Sequence, residues 1–415
     1  MRKFIVVALF LCLCVSCKNN DVEPTPGKPV INLLPAKNIG FYDATIDFIV
    51  SNNGSEVFDY GLVWDVHSSP NTNGLNKISN GPCDSLCSYS ASLNNLNTGT
   101  QYFYRAYLIT SSGITYSEEL NFSTAQAAWN QAANFPGGGR MLGVAFSIGD
   151  KGYVGLGMGD GNVFLKDFWE FDSKKGTWTQ KSDFPGGIRL DAVGFAINNK
   201  GYVGTGLNDD YNSTSDFWEY DPTTDQWTRK ANYPGGSIEF AVGFAIGDNG
   251  YVGIGTRRSG GPVSEFYQYS PATDRWTKRA DFPGTPADKC FNFVINGKGY
   301  VGIGQLPLGG SSKQFWEYDP TLDQWNAKQD FAGQAGYYST GFSINGRGYT
   351  CSGRYGGKEV LTYNPETNEW TQAPTFLGQS REGLVSFVIQ NEAFIGLGSP
   401  GDGYFADLWR FQINN

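Results

Sequence analysis

Imidazole chemistry has almost no footing on this chain of 415 residues, because His67 is its one histidine. What recurs instead is a short segment opened by an aromatic residue: Phe135, Phe184, Tyr233, Phe282, Phe331 and Phe376, with Pro-Gly after the first four. Five residues past each ring stand Arg140, Arg189, Ile238, Ala287, Gly336 and Arg381. Just beyond lie Asp191, Glu239, Asp288, Lys289, Tyr337, Tyr338 and Glu382. Guanidinium forks match carboxylates in pairs of hydrogen bonds, rings stack on sugars, and a carboxyl near a cation can move a proton. Recognition of a polar ligand is therefore the first chemistry to test against the fold.

The elements that must position these residues repeat. Trp129, Trp178, Trp227, Trp276 and Trp325 follow one another at a step of 49 residues, and Trp370 comes 45 later. A repeat of this length signals a stacked or radial architecture. In the unit ending at Trp227, the runs Ala192–Ile197, Tyr202–Gly206, Asp216–Tyr220 and Gln226–Arg229 are rich in β-branched and aromatic residues. They are separated by turns such as Asn198–Gly201 and Asp221–Asp225. Short runs bounded by Gly, Pro, Asn and Asp read as strands and turns. Each unit is a four-stranded antiparallel meander whose two faces need neighbouring units to cover them.

Six copies of the second-strand motif occur, from Tyr153-Val-Gly-Leu-Gly157 to Phe394-Ile-Gly-Leu-Gly398. Six third-strand motifs run from Phe168-Trp-Glu-Phe171 to Leu408-Trp-Arg-Phe411. The expected fold is all-β, a six-bladed β-propeller over 125–415. Trp129 precedes any first strand, while Leu408–Phe411 has no fourth strand after it. The segment around Trp129 is therefore expected to supply the outer strand of the last blade. The pattern resembles the kelch repeat family in a divergent form, since Gly-X-Gly (Gly204-Thr-Gly206) stands where adjacent glycines are usual.

In such a meander the blade-to-blade loops and the second-to-third-strand loops emerge on one face. That face should carry Arg140, Arg189, Glu239, Lys289, Tyr337, Tyr338 and Arg381 around the channel mouth, with Arg257, Arg258, Arg354 and Tyr355 in variable loops. Variable loops over a regular scaffold are where recognition concentrates. Two readings of the arginines stay open: ligand contacts, or ion pairs to a neighbouring blade's carboxylate that hold the ring together. On the opposite face, Asp221 and Asp225 read as turn-capping acceptors rather than calcium ligands.

Absences exclude several classes. Copper oxidases with kelch-like blades need histidine ligands on the propeller, and a Ser-His-Asp site needs one too. No P-loop or dinucleotide fingerprint sits in a strand-to-helix context. A net charge of −9 without Lys/Arg clusters argues against nucleic acid. No cofactor and no metal are expected.

Residues 1–16 read as a signal peptide, with Arg2 and Lys3 before an apolar run too short to span a bilayer. Leu13-Cys-Val-Ser-Cys17 resembles a bacterial lipobox, which implies lipidation of Cys17; ordinary secretion is the alternative. Residues 17–28 form a polar tether. The resemblance places the chain in a bacterial envelope, at the outer membrane or cell surface. Residues 29–124 form a second β-domain, whose Leu93–Leu96 and Gly99–Tyr107 resemble a fibronectin type III sandwich with Tyr102 as its corner tyrosine. Such a domain is a spacer or, alternatively, adhesive. Cys83 and Cys87 are either a local disulfide or two loop thiols, and Cys290 and Cys351 read as packing residues.

The leading functional expectation is a non-catalytic, envelope-anchored recognition module that binds a protein or carbohydrate at the loop face. The alternative is a mutarotase or epimerase acting on an anionic sugar. It rests on a resemblance to exported kelch-propeller sialic-acid mutarotases and would use Glu239 with Arg189 or Arg381. A structural envelope role is third.

Overall fold

A computed structural model describes residues 27–414, so Cys17 and the leader lie outside the described residues. The chain divides into two compact units, and the division does not fall at a single point. One holds Asp47–Ala91 and Phe103–Leu120 with the segment ending at Pro35; the other holds Ala36–Ile46, Ser92–Tyr102 and everything from Asn121 on.

The second unit contains a six-bladed β-propeller. Blade 1 is the antiparallel sheet Val144–Ile148, Lys151–Gly155, Phe168–Asp172 and Thr177–Lys181. Blades 2 to 5 repeat this order behind inner strands Val193–Ile197, Val242–Ile246, Phe291–Ile295 and Thr340–Ile344. Blade 6 is Val385–Ile389, Glu392–Gly396, Leu408–Asn414 and, from the other end of the sequence, Gln126–Ala132. Each inner strand touches the next, and the sixth touches the first, so the ring is closed.

Inner strands alternate buried and half-buried residues, as a period of two requires. The second strands are buried on both faces, because each is sandwiched between adjacent blades. Gly201 shows what this demands. A Cβ there would stand 2.5 Å from the Phe146 ring of the preceding blade, so only glycine lets that ring lie against the backbone.

The tryptophan spacing has a physical cause. Trp227 Nε1 donates to the Ser182 carbonyl at 3.0 Å, in the segment that leaves the preceding blade, and Trp178, Trp276 and Trp325 make the same bond to Ala133, Ala231 and Ala280. The turn Asp221–Asp225 adds a second link. Asp225 Oδ1 accepts from the Ser182 N–H at 3.0 Å and from the Tyr220 hydroxyl at 2.7 Å. In blade 5, Asn368 accepts the corresponding bonds from Gln329 and Tyr363. Asp225→Ala is therefore expected to cost about 1–3 kcal/mol in urea denaturation, while Asp225→Asn retains most of the stability. Equal losses in the two variants would show that the turn, not the acceptor, matters.

The N-terminal region forms two sheets. One is Val30–Leu33, Ala44–Ser51 and Leu86–Leu93. The other is built on Asp59–Asp65 and Gln101–Thr110, with Lys77–Ser79, Gly113–Tyr116 and Leu120–Ser123 at its edges. The Tyr102 hydroxyl accepts from the Asn97 N–H at 2.9 Å. Cys83 and Cys87 are joined as a disulfide. Cys351 is buried in blade 5, and Cys290, half-buried, packs against the core cluster around Val242 and also lines the central channel.

Candidate functional site at the channel mouth

Each blade sends one residue with a left-handed backbone to the channel mouth: Leu142, Asp191, Phe240, Lys289, Tyr338 and Gly383, with φ between 53° and 67°. All six stand seven residues past the aromatic that opens the segment. This conformation costs a residue other than glycine or asparagine about 1 kcal/mol or more, so a bulky residue holds it only where the surroundings impose it. Here backbone bonds run from blade to blade. Asp191 N donates to Leu142 O at 3.2 Å, Tyr338 N to Lys289 O at 3.2 Å, Gly383 N to Tyr338 O at 3.0 Å, and Leu142 N to Gly383 O at 2.9 Å. The result is a collar at the mouth, bonded from blade 4 through blades 5, 6 and 1 to blade 2.

The preceding residue in every blade pairs with the second-to-third-strand loop: Met141 with Met158, Leu190 with Leu207, Glu239 with Thr256, Asp288 with Gln305, Tyr337 with Arg354, and Glu382 with Ser399. The variable loops are thereby fixed to the collar. A cavity of about 130 Å³ is lined by Asp191, Phe240, Lys289, Cys290 and Tyr338. It shares Ala192, Ala241 and Ser339 with a channel cavity of about 180 Å³ between the inner strands.

Charge at the mouth is concentrated and incompletely paired. The Lys289 ammonium bonds to Gln305 Oε1 and lies 4.6 Å from the Phe240 ring centre, 5.3 Å from Tyr338 and 5.5 Å from Tyr337. It stands 3.8 Å from Asp288 Oδ1, close enough for an ion pair but beyond hydrogen-bond range. Asp288 Oδ2 accepts from Thr256 Oγ1 at 2.6 Å. Glu239 Oε2 accepts from Ser213 Oγ at 3.1 Å, and Glu382 Oε1 from Arg354 Nη1 at 3.2 Å. Among the described residues, the buried oxygens Asp191 Oδ2, Asp288 Oδ1 and Glu382 Oε2 have no hydrogen-bond donor.

Burial pushes the Asp191 carboxyl well above the usual range. Glu239 and Asp288 add to that shift and Lys289 opposes it. Burial also raises Glu239 and Glu382. A carboxyl raised in the folded state contributes stability that is full below its unfolded pKa of about 4 and is lost as pH rises toward its folded value. Asp191→Asn removes that loss and suits the left-handed backbone. It is expected to raise the melting temperature at pH 7 and to leave it nearly unchanged near pH 3. A lower melting temperature at pH 7 would mean that Asp191 is paired and stabilising.

Three expected mouth residues lie elsewhere. Arg140, Arg189 and Arg381 are 0, 1 and 3 % exposed, and each is turned into its own blade. Arg140 grips Asp167 through both nitrogens, at 2.6 and 2.9 Å. Arg189 grips Asp216 at 2.7 and 3.1 Å and bonds the Thr205 carbonyl at 2.8 Å. Arg381 grips Asp407 in the same way and bonds the Leu397 carbonyl. The ion-pair reading holds with one correction: the carboxylate precedes the third strand of the same blade, not of a neighbour. Glu239 is accordingly not joined by Arg189 or Arg381, and the acid–base set built on those three does not assemble.

Arg257 is structural by the same logic. Blade 3 has Ile238 at the fifth position, and Arg257 reaches in from the loop to bond Glu265 and the Gly235 carbonyl. Glu239, Lys289, Tyr337 and Tyr338 do converge at the mouth, and Arg354 stands half-exposed at its rim, 5.7 Å from the Tyr337 ring. Asp191, Phe240, Asp288 and Glu382 complete the set. The signal that marks the collar is the seventh position after each aromatic, not the fifth.

No protein-family model matches the chain, and no curated protein matches it. A solved structure of YjhT superposes with a TM-score of 0.59 at 17% identity, covering 68% of this chain and 99% of that one. The shared fold is the β-propeller. At that identity the likeness extends to the fold and not to the residues of the mouth.

Proposed function

We propose that this chain is a non-catalytic recognition module of divergent kelch type. It binds a protein or carbohydrate through the propeller's loop face and is held at a bacterial envelope by a lipid on Cys17. The observation that carries the reading is the set of buried carboxylate oxygens without donors beside Lys289, among Phe240, Tyr337 and Tyr338. Groups that are costly to bury unpaired, gathered at a cavity mouth, suit a ligand that supplies the missing partners. Exposed Val163, Tyr211, Leu308 and Tyr355 stand in the second-to-third-strand loops and offer contact area around the mouth. The test is binding of the labelled chain to arrayed glycans and to envelope proteins, with Arg354→Ala and Tyr355→Ala on the loop face and Thr223→Ala on the opposite face. Loss confined to the loop-face variants is expected. Equal binding by all three would place the ligand elsewhere.

The second reading, a mutarotase or epimerase acting on an anionic sugar such as sialic acid, has one observation in its favour. Glu239 has a raised pKa and lies near the Arg258 guanidinium, which suits a group that exchanges a proton. Anomer exchange of N-acetylneuraminic acid, followed by proton NMR with wild type and Glu239→Gln, separates the two readings.

A further inference from the structure

The loop-face reading leaves the ligand's chemistry open, and the mouth narrows it. Three oxygens need donors: Asp191 Oδ2, Asp288 Oδ1 and Glu382 Oε2. Asp191 and Asp288 are each 8 % exposed, and Asp191 lines the cavity. A ligand anion would face Asp191, Glu239, Asp288 and Glu382 at once, with Lys289 already shared among them. A ligand cation would meet the Lys289 ammonium, which already occupies the space over Phe240, Tyr337 and Tyr338. A group with several hydroxyls adds no charge and can meet the Asp191 carboxyl and the Lys289 ammonium, which line the cavity together. Lys289 can in turn donate to such a group, and Phe240 and Tyr338 border it.

Size points the same way. The mouth cavity, about 130 Å³, adjoins the channel cavity of about 180 Å³, and together they reach only the lower end of the ~300–1,000 Å³ of ligand pockets, room for a single ring. We infer that the mouth binds the terminal ring of a neutral glycan, with ring hydroxyls donating to the Asp191 carboxyl and accepting from Lys289, the two charged groups that line the cavity. This inference rests on the loop-face reading and adds the ligand class to it.

The experiment is saturation-transfer NMR and calorimetry on the whole chain. The probes are methyl pyranosides of glucose, galactose, mannose and N-acetylglucosamine, with N-acetylneuraminic acid and tetramethylammonium alongside. At least one neutral pyranoside is expected to bind saturably, Asp191→Asn is expected to weaken it about 10- to 100-fold, and Thr223→Ala on the opposite face is expected to leave it unchanged. Melting temperatures of both variants separate lost binding from lost folding.

Absence of neutral-sugar binding up to about 10 mM overturns the inference. So does tighter binding of N-acetylneuraminic acid or the ammonium ion, or neutral binding unchanged in Asp191→Asn. A protein ligand lost in Arg354→Ala, with no sugar bound, would overturn the inference and leave the loop-face reading standing. Sugar binding unaffected by every mouth and loop variant would overturn both.

Discussion

Removing Gln126–Ala132 is expected to unfold the propeller as a whole, not to fray one blade. The strand pairs along Leu408–Asn414, with Trp129 opposite Phe411. Trp129 meets Phe376 edge to face with ring centres 5.0 Å apart and lies tilted against Phe411 at 4.7 Å, and its Nε1 donates to the Pro374 carbonyl at 3.1 Å. That bond is the sixth-joint counterpart of the links made by Trp178, Trp227, Trp276 and Trp325. Without the strand, blade 6 has an unpaired edge, and the clusters on both of its faces lose a wall. Trp129→Ala alone should cost about 3–5 kcal/mol, which is a large share of a domain's net stability. Urea denaturation followed by tryptophan fluorescence and by far-UV dichroism should show one shared, lowered midpoint. An unchanged midpoint, or loss of a single blade ahead of the rest, would contradict closure by this strand.

Arg189→Ala is expected to destabilise the protein and to leave binding at the mouth intact in whatever fraction folds. Removing one partner of a buried ion pair costs about 3–5 kcal/mol, because the other charge stays buried and uncompensated. Asp216→Ala should lose a similar amount, and the double variant less than the two together, since it leaves no orphan charge. For Asp216, burial raises the pKa, but the hydrogen bond and charge of Arg189, with bonds from Trp218 and Thr214, bring it below the usual range. Asp407 is lowered similarly against Arg381. A carboxylate lowered in the folded state contributes stability present above its unfolded pKa of about 4 and lost as pH falls through the folded value. The stability gap between wild type and Arg189→Ala should therefore shrink below about pH 4. A gap independent of pH would assign the loss to packing alone. Exposed Arg354→Ala is the matched control and should shift stability by less than about 1 kcal/mol.

The chain states its own architecture through local rules. Alternation in runs such as Val193–Ile197, turn residues such as Asp221–Asp225 and the recurring tryptophans are enough to count blades and to foresee that the segment at Trp129 closes the ring. This works because side-chain direction in a strand follows a period of two, and because the five tryptophans at the 49-residue step each bond the corresponding carbonyl in the blade before, as Trp370 does not. The mouth was legible only in part. Glu239, Lys289, Tyr337 and Tyr338 could be placed near it, but Arg140, Arg189 and Arg381 stand two residues before the collar and point the opposite way. The segments between blades pair with the loops over only one or two residues each, so a strand's period of two does not carry along them. Direction there is set by left-handed backbones at Asp191, Lys289 and Tyr338, conformations such residues do not favour on their own. They exist because neighbouring blades bond to one another through them. Blades and their closure follow from local residue patterns, whereas which charges are buried as pairs and which are left unpaired at the mouth depends on contacts that form once the ring assembles.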